Sequence, residues 1–200
     1  MNPFPQPTPL EKQLLKELVD IAGLCYERGW SHGTAGNFSI KGQHDIIWQS
    51  PTGFCKGRLN PNEFIPVNLT SAQAITPDNR KPSGEMPVHL AIYKNIPQAK
   101  SVVHTHPFHT VTASFGKTAL TFEGQEMQKH LRCHSHLEKL EIDVLTNPTP
   151  EQMAQLADKL TIKNPQLPFV LFEGHGVYAW GESPMEALSY IEALEYLCRR

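Results

Sequence analysis

No stretch of this sequence approaches the ~18 consecutive apolar residues that a membrane span needs, and its first residues show neither the cationic start nor the apolar core of a secretory leader. A soluble, intracellular (cytoplasmic) protein is expected. Basic residues form no block: 18 Lys and Arg stand against 20 Asp and Glu, a formal net charge of -2, so neither a nucleic acid nor a membrane is an expected partner. Cysteine is scarce, with Cys25, Cys55, Cys133 and Cys198 scattered and no CxxC pair. That pattern fits reduced cytosolic thiols and argues against a disulfide framework. No internal repeat is present, and the only biased segment is the Pro-rich stretch 1–9, expected to be a flexible arm. What is there, 200 residues of ordinary apolar content, suits one domain over residues 1–200 with a substantial core.

Thr8-Pro9-Leu10-Glu11 reads as an N-cap, a first-position Pro and a capping-box Glu. The helix that follows carries an apolar stripe of Leu10, Leu14, Leu18, Ile21 and Cys25, and Gly29 is placed to end it. Strand-like runs at 38–40, 46–48 and 64–69 predict an antiparallel region. A helix is expected over Met86 to Asn95, stopped by Pro97, and a strand over Ser101 to His106. Short helices are expected at 107–115 and 124–131, and a short strand at 142–145. Thr149-Pro150-Glu151-Gln152 repeats the cap signature for a helix reaching about Lys163. A hairpin of 169–172 and 177–180 closes through Gly174-His175-Gly176, and Ser183 caps the last helix. Strands flanked by helices predict α/β layers around a mostly antiparallel sheet.

His104-Thr105-His106 ends a short apolar run at Pro107. Alternate strand residues share a face, so the two imidazoles can converge on one ion, although two hydrogen-bonded histidines near a sheet edge give the same pattern. His175 between two glycines is the natural third ligand, and three neutral imidazoles leave a zinc position open for water or substrate. His130, Cys133, His134 and His136 form a rival cluster, but without a distant second ligand pair they read better as a loop; His32, His44, His89 and His109 read as ordinary histidines. Glu85 follows Pro82-Ser83-Gly84 at a helix start. It is either a routine first-turn carboxylate or, beside a divalent ion that polarises a substrate oxygen, a base for an adjacent carbon-bound proton. The second role gives lyase or isomerase chemistry. The turns at Gly36-Asn37, Ser50 to Gly53 and Ser83-Gly84 offer N–H groups, hydroxyls and an amide suited to phosphate, with Lys56 near in sequence.

GNFS (Gly36 to Ser39), SPTG (Ser50 to Gly53), PSGE (Pro82 to Glu85), HTH (His104 to His106) and GHG (Gly174 to Gly176) occur in this order over nearly the whole chain. In this the sequence resembles class II aldolase/adducin proteins. Within that family, FEGQEMQKHL (Phe122 to Leu131) and the stretch from Glu173 to Arg199 resemble the branch that dehydrates a methylthio-substituted pentulose phosphate in methionine salvage. The resemblance implies a three-layer αβα sandwich with a central, mainly antiparallel sheet. It implies one zinc per subunit on His104, His106 and His175, Glu85 as the catalytic acid/base, and a homotetramer with active sites at subunit interfaces. It also implies phosphate contacts from Asn37, Thr52, Gly53, Ser83 and Gly84, although family aldolases often carry a second Ser where this chain has Gly84. Sister activities on the same scaffold are sugar-phosphate aldolase and pentulose-phosphate 4-epimerase, and adducin-like members are non-catalytic interaction modules.

Overall fold

The computed structural model describes residues 4–76, 78, 80–131 and 135–199. Helix α1 (Pro9–Glu27) begins at the expected capping box: the Thr8 side chain accepts from Glu11 N, and the Glu11 carboxylate accepts from Thr8 N at 2.6 Å. Its buried face is Leu15, Leu18, Ile21, Ala22 and Cys25, while Leu10 stands 63 % exposed. The predicted stripe therefore starts one turn too early. Glu11 also accepts from Gln43 N, tying the helix start to the first hairpin of the sheet.

Eight strands build the sheet: β1 (Asn37–Lys41), β2 (Ile46–Gln49), β3 (Ile65–Asn68), β4 (Ser101–Thr105), β5 (Ala119–Phe122), β6 (Leu140–Leu145), β7 (Phe169–Phe172) and β8 (Gly176–Gly181). Their order is β3-β2-β1-β4-β8-β7-β6-β5, and every pairing is antiparallel except β6 with β7. Pro66 opposes Trp48 on the edge strand β3, where a missing N–H costs no ladder bond. Strand β5 was not expected from the sequence. It sits on the other edge with only Leu120 buried, so it carries little apolar alternation.

Side chains of alternate residues go to opposite faces. Phe38, Ile40, Val103, Val177 and Ala179 pack with α1 and with α6 (Pro184–Leu197). Val102, Phe172, Tyr178 and Trp180 pack with α2 (Met86–Asn95) and the short helices α4 (Pro150–Met153) and α5 (Leu156–Lys159). The result is a three-layer α/β/α arrangement around a mainly antiparallel sheet. Helix α3 (Phe108–Ser114) follows β4 directly.

Two predicted helices differ. The capping box at Thr149 forms, but the chain breaks after Met153 and ends helically at Lys159, because Leu160 turns extended ahead of the β-branched Thr161 and Ile162. Met153, Ala157 and Leu160 still bury one face against α2. The short helix expected over 124–131 forms as a 3-10 helix over residues 126–131. Among the described residues, no helix is long and apolar enough to cross a membrane.

Candidate metal centre and active site

Antiparallel register places Asn37, His104 and Tyr178 side by side on β1, β4 and β8, facing α2. The His104 ring lies parallel to Tyr178, with centroids 3.7 Å apart, and is fully buried. Pro107 stops β4, so His106 stands just beyond the strand, its N–H donating to Trp30 O at 2.9 Å. His175 comes from the β7–β8 turn, which Gly174 closes with φ +60°. A Cβ on Gly176 would run into Thr105 O and lie 2.8 Å from His106 Cδ2. Only glycine lets the hairpin backbone press against the end of β4. Two motifs distant in sequence therefore meet as the reading predicted, with one ring nitrogen from each of His104, His106 and His175 lying within 4.8 Å of the others.

The ring tautomers suit a cation. Nδ1 of His104 is 3.0 Å from Val177 O, and Nδ1 of His175 is 3.0 Å from Asn147 Oδ1; both oxygens accept, so each Nε2 carries a lone pair. These two lone pairs face the Glu85 carboxylate, with His104 Nε2 3.2 Å from Oε2 and His175 Nε2 2.9 Å from Oε1. Among the described residues, His104 Nε2 is buried with no hydrogen-bond partner. Imidazole lone pairs turned towards an anion are what a positive ion relieves, so the donor set fits a divalent metal. Burial pushes His104 down, and it pushes His106 down to about 3 with the neighbouring imidazoles adding, so both stay neutral as ligands must.

Glu85 is the N-cap residue of α2, and Ser83 Oγ accepts from its N–H. Two of the turns read as phosphate candidates meet beside it. Ser50 Oγ accepts from Phe38 N; Thr52 N donates to Lys81 O; and Pro51 bridges to Pro82. The 50–53 turn thus lies against 81–84, with Thr52, Gly53 and Gly84 exposed and Ser83 half-buried. Two candidates are turned elsewhere. The Asn37 amide donates to Glu85 Oε2 at 2.5 Å, and the buried Lys56 ammonium donates to Thr34 O and Phe54 O. A cavity of about 500 Å³ opens beside Gly84, Glu85 and His175, with Pro148, Pro150 and Met153 as an apolar wall. A second of similar volume, beside Arg28, Trp30 and Tyr196, holds none of these groups.

Of the rival cluster, Cys133 and His134 lie outside the described residues; His130 contacts Ser189 Oγ, and His136 pairs with Glu126. His32 and His44 are exposed, but His89 is fully buried and bonded to Asn37. Sequence reasoning missed His89 and Asn147. The helical step of four from Glu85 to His89 was the available signal for the first; Asn147 had none.

The model of the Class II Aldolase and Adducin N-terminal domain matches residues 16–200. The chain is 35 % identical over 189 residues to a methylthioribulose-1-phosphate dehydratase of Enterobacter sp. (strain 638), covering 92 % of this chain and 91 % of that one. It is 33 % identical over 186 residues to the enzyme so named in Methylococcus capsulatus, covering 90 % and 89 %. The crystal structure of L-fuculose-1-phosphate aldolase from Thermus thermophilus superposes with a TM-score of 0.73 at 26 % identity, covering 94 % of this chain and 91 % of that one. With its three histidines, its carboxylate and its sheet order in place, the chain belongs to the class II aldolase and adducin family.

Proposed function

We propose that this chain is a hydro-lyase that dehydrates 5-methylthioribulose 1-phosphate to 2,3-diketo-5-methylthiopentyl 1-phosphate, with zinc held by His104, His106 and His175. The observation that carries the reading is the Glu85 carboxylate set between two ligand imidazoles at the mouth of a cavity with an apolar wall. Zinc bound there supplies Lewis acidity towards substrate oxygens. Glu85 takes the proton from C3; a C3–C4 double bond forms as the C4 hydroxyl leaves, protonated, as water; and the enol ketonises by gaining a proton at C4. Pro148, Pro150 and Met153 suit the methylthio end, while the Thr52-Gly53 and Ser83-Gly84 turns suit the phosphate. The named dehydratase relatives support this substrate over those of the sister aldolases and epimerases.

Methionine salvage in the cytoplasm and a homotetramer complete the reading. Exposed Phe108 and Phe115, flanking α3 next to His106 and Gly174, support burial of this face between subunits. Light scattering of the purified protein tests the assembly.

The reaction is tested by incubating the zinc-loaded protein with the methylthio sugar phosphate, fuculose phosphate and ribulose phosphate in parallel. Only a dehydratase yields the diketone, and cleavage or epimerisation instead would overturn the reading. Glu85→Gln is expected to retain zinc and lose about 10²–10⁴-fold in kcat. A near-normal rate in that variant removes Glu85 from the role of base.

A further inference from the structure

A run of five polar side chains ends on Glu85. Asn37 Nδ2 donates to Glu85 Oε2, Asn37 Oδ1 contacts His89 Nε2, His89 Nδ1 lies 2.7 Å from Ser39 Oγ, and that hydroxyl lies 2.8 Å from Tyr93 OH. Asn37, Ser39, His89 and Tyr93 are all buried. The spacing is built in: Asn37 and Ser39 alternate on β1, while Glu85, His89 and Tyr93 recur every four residues along α2.

Chemistry fixes the direction of each bond. A carboxylate only accepts, so Asn37 must turn its nitrogen to Glu85 and its oxygen to His89. That oxygen accepts, so His89 carries its proton on Nε2. Burial keeps the ring neutral, so Nδ1 accepts from Ser39, which accepts from Tyr93. Reversing any one group would put acceptor against acceptor in the core.

We propose that His89 is a positioning residue: it locks the Asn37 amide so that the amide N–H holds and aims Glu85. The inference rests on Glu85 acting as the base in the dehydration proposed above. Misaiming a reacting group by about 1 Å costs on the order of 10²-fold in rate without a matching loss of binding.

In zinc-loaded enzyme, His89→Leu is expected to lower kcat about 10²-fold with KM and inhibition by inorganic phosphate unchanged. His89→Gln, which offers an amide N–H near the place of Nε2, is expected to recover most of that loss. Asn37→Ala is expected to lose as much as His89→Leu, and the double variant no more than either, because the two act in series. Zinc content and melting temperature are measured for each; should His89→Leu fail to fold, Ser39→Ala cuts the chain by removing one oxygen, with a smaller fall in kcat expected at constant KM. A raised KM and weakened phosphate inhibition in Asn37→Ala at constant kcat, multiplying losses, or unchanged kcat in Ser39→Ala would each overturn the proposal. If the wild type makes no diketone, the reaction has been misread, and crystal structures decide the positioning role. An Asn37 amide turned away from Glu85 in His89→Leu supports it, and an unmoved contact there sinks it.

Discussion

A methyl group at position 176 has no room, since its nearest neighbours would be a backbone carbonyl and the His106 ring. Gly176→Ala must push the β7–β8 turn away from β4, and His175 with it. Overpacking of this kind costs about 1–3 kcal/mol. The expected outcome is a lowered melting temperature together with a fall in bound zinc, read by metal analysis; full zinc occupancy would show that the turn tolerates the shift. At this scale the sequence was legible wherever chemistry and spacing coincide. His104 and His106 announce a shared strand face, and His175 stands between two glycines whose purpose is backbone approach. Asn147 and the Val177 carbonyl, which orient the imidazoles, were hidden because their meeting depends on sheet pairing and not on local pattern.

Helix α3 has no side chain of its own to cap it, since its first position follows Pro107. The buried Glu195 of α6 does so from a distance, accepting from the N–H groups of His109 and Thr110 and from the Thr110 hydroxyl. Glu195→Ala leaves those donors buried without an acceptor, and the expected loss is about 3 kcal/mol. Thr8→Ala removes a local cap remote from the site and is expected to cost about 1 kcal/mol with kcat unchanged. Chemical denaturation of both variants checks the contrast; equal losses would mean that α3 caps itself with water. The same contrast explains which elements could be read in advance. The caps at Thr8, Thr149 and Ser183 lie within four residues of their partners and marked their helix starts correctly. Strand β5 carries little apolar alternation of its own and is held by pairing with β6, so propensity alone missed it.

The centre draws on β1, the start of α2, β4, the β7–β8 turn and the segment holding Asn147, and no two ligands except His104 and His106 are near in sequence. Metal binding by these three histidines would therefore be a property of the folded chain, and an ion held there would stabilise it by mass action. Stripping the ion with a chelator is expected to lower the melting temperature and abolish turnover together, with about 2.7 kcal/mol regained at a free zinc concentration 100 times its dissociation constant. Turnover surviving complete removal of metal would contradict the site. The sheet order was not legible from the motifs alone, because β4 pairs with β1 and β8 across long separations.

That central place of β4 has a consequence for how the protein is made. During synthesis β1 and β4 emerge long before β8, so a growing chain presents His104 and His106 on a strand whose second edge is bare. Until β8 arrives, that edge is open to pairing with another nascent chain. The histidine pair and the vulnerable edge are sealed in one event, when the last hairpin closes on β4.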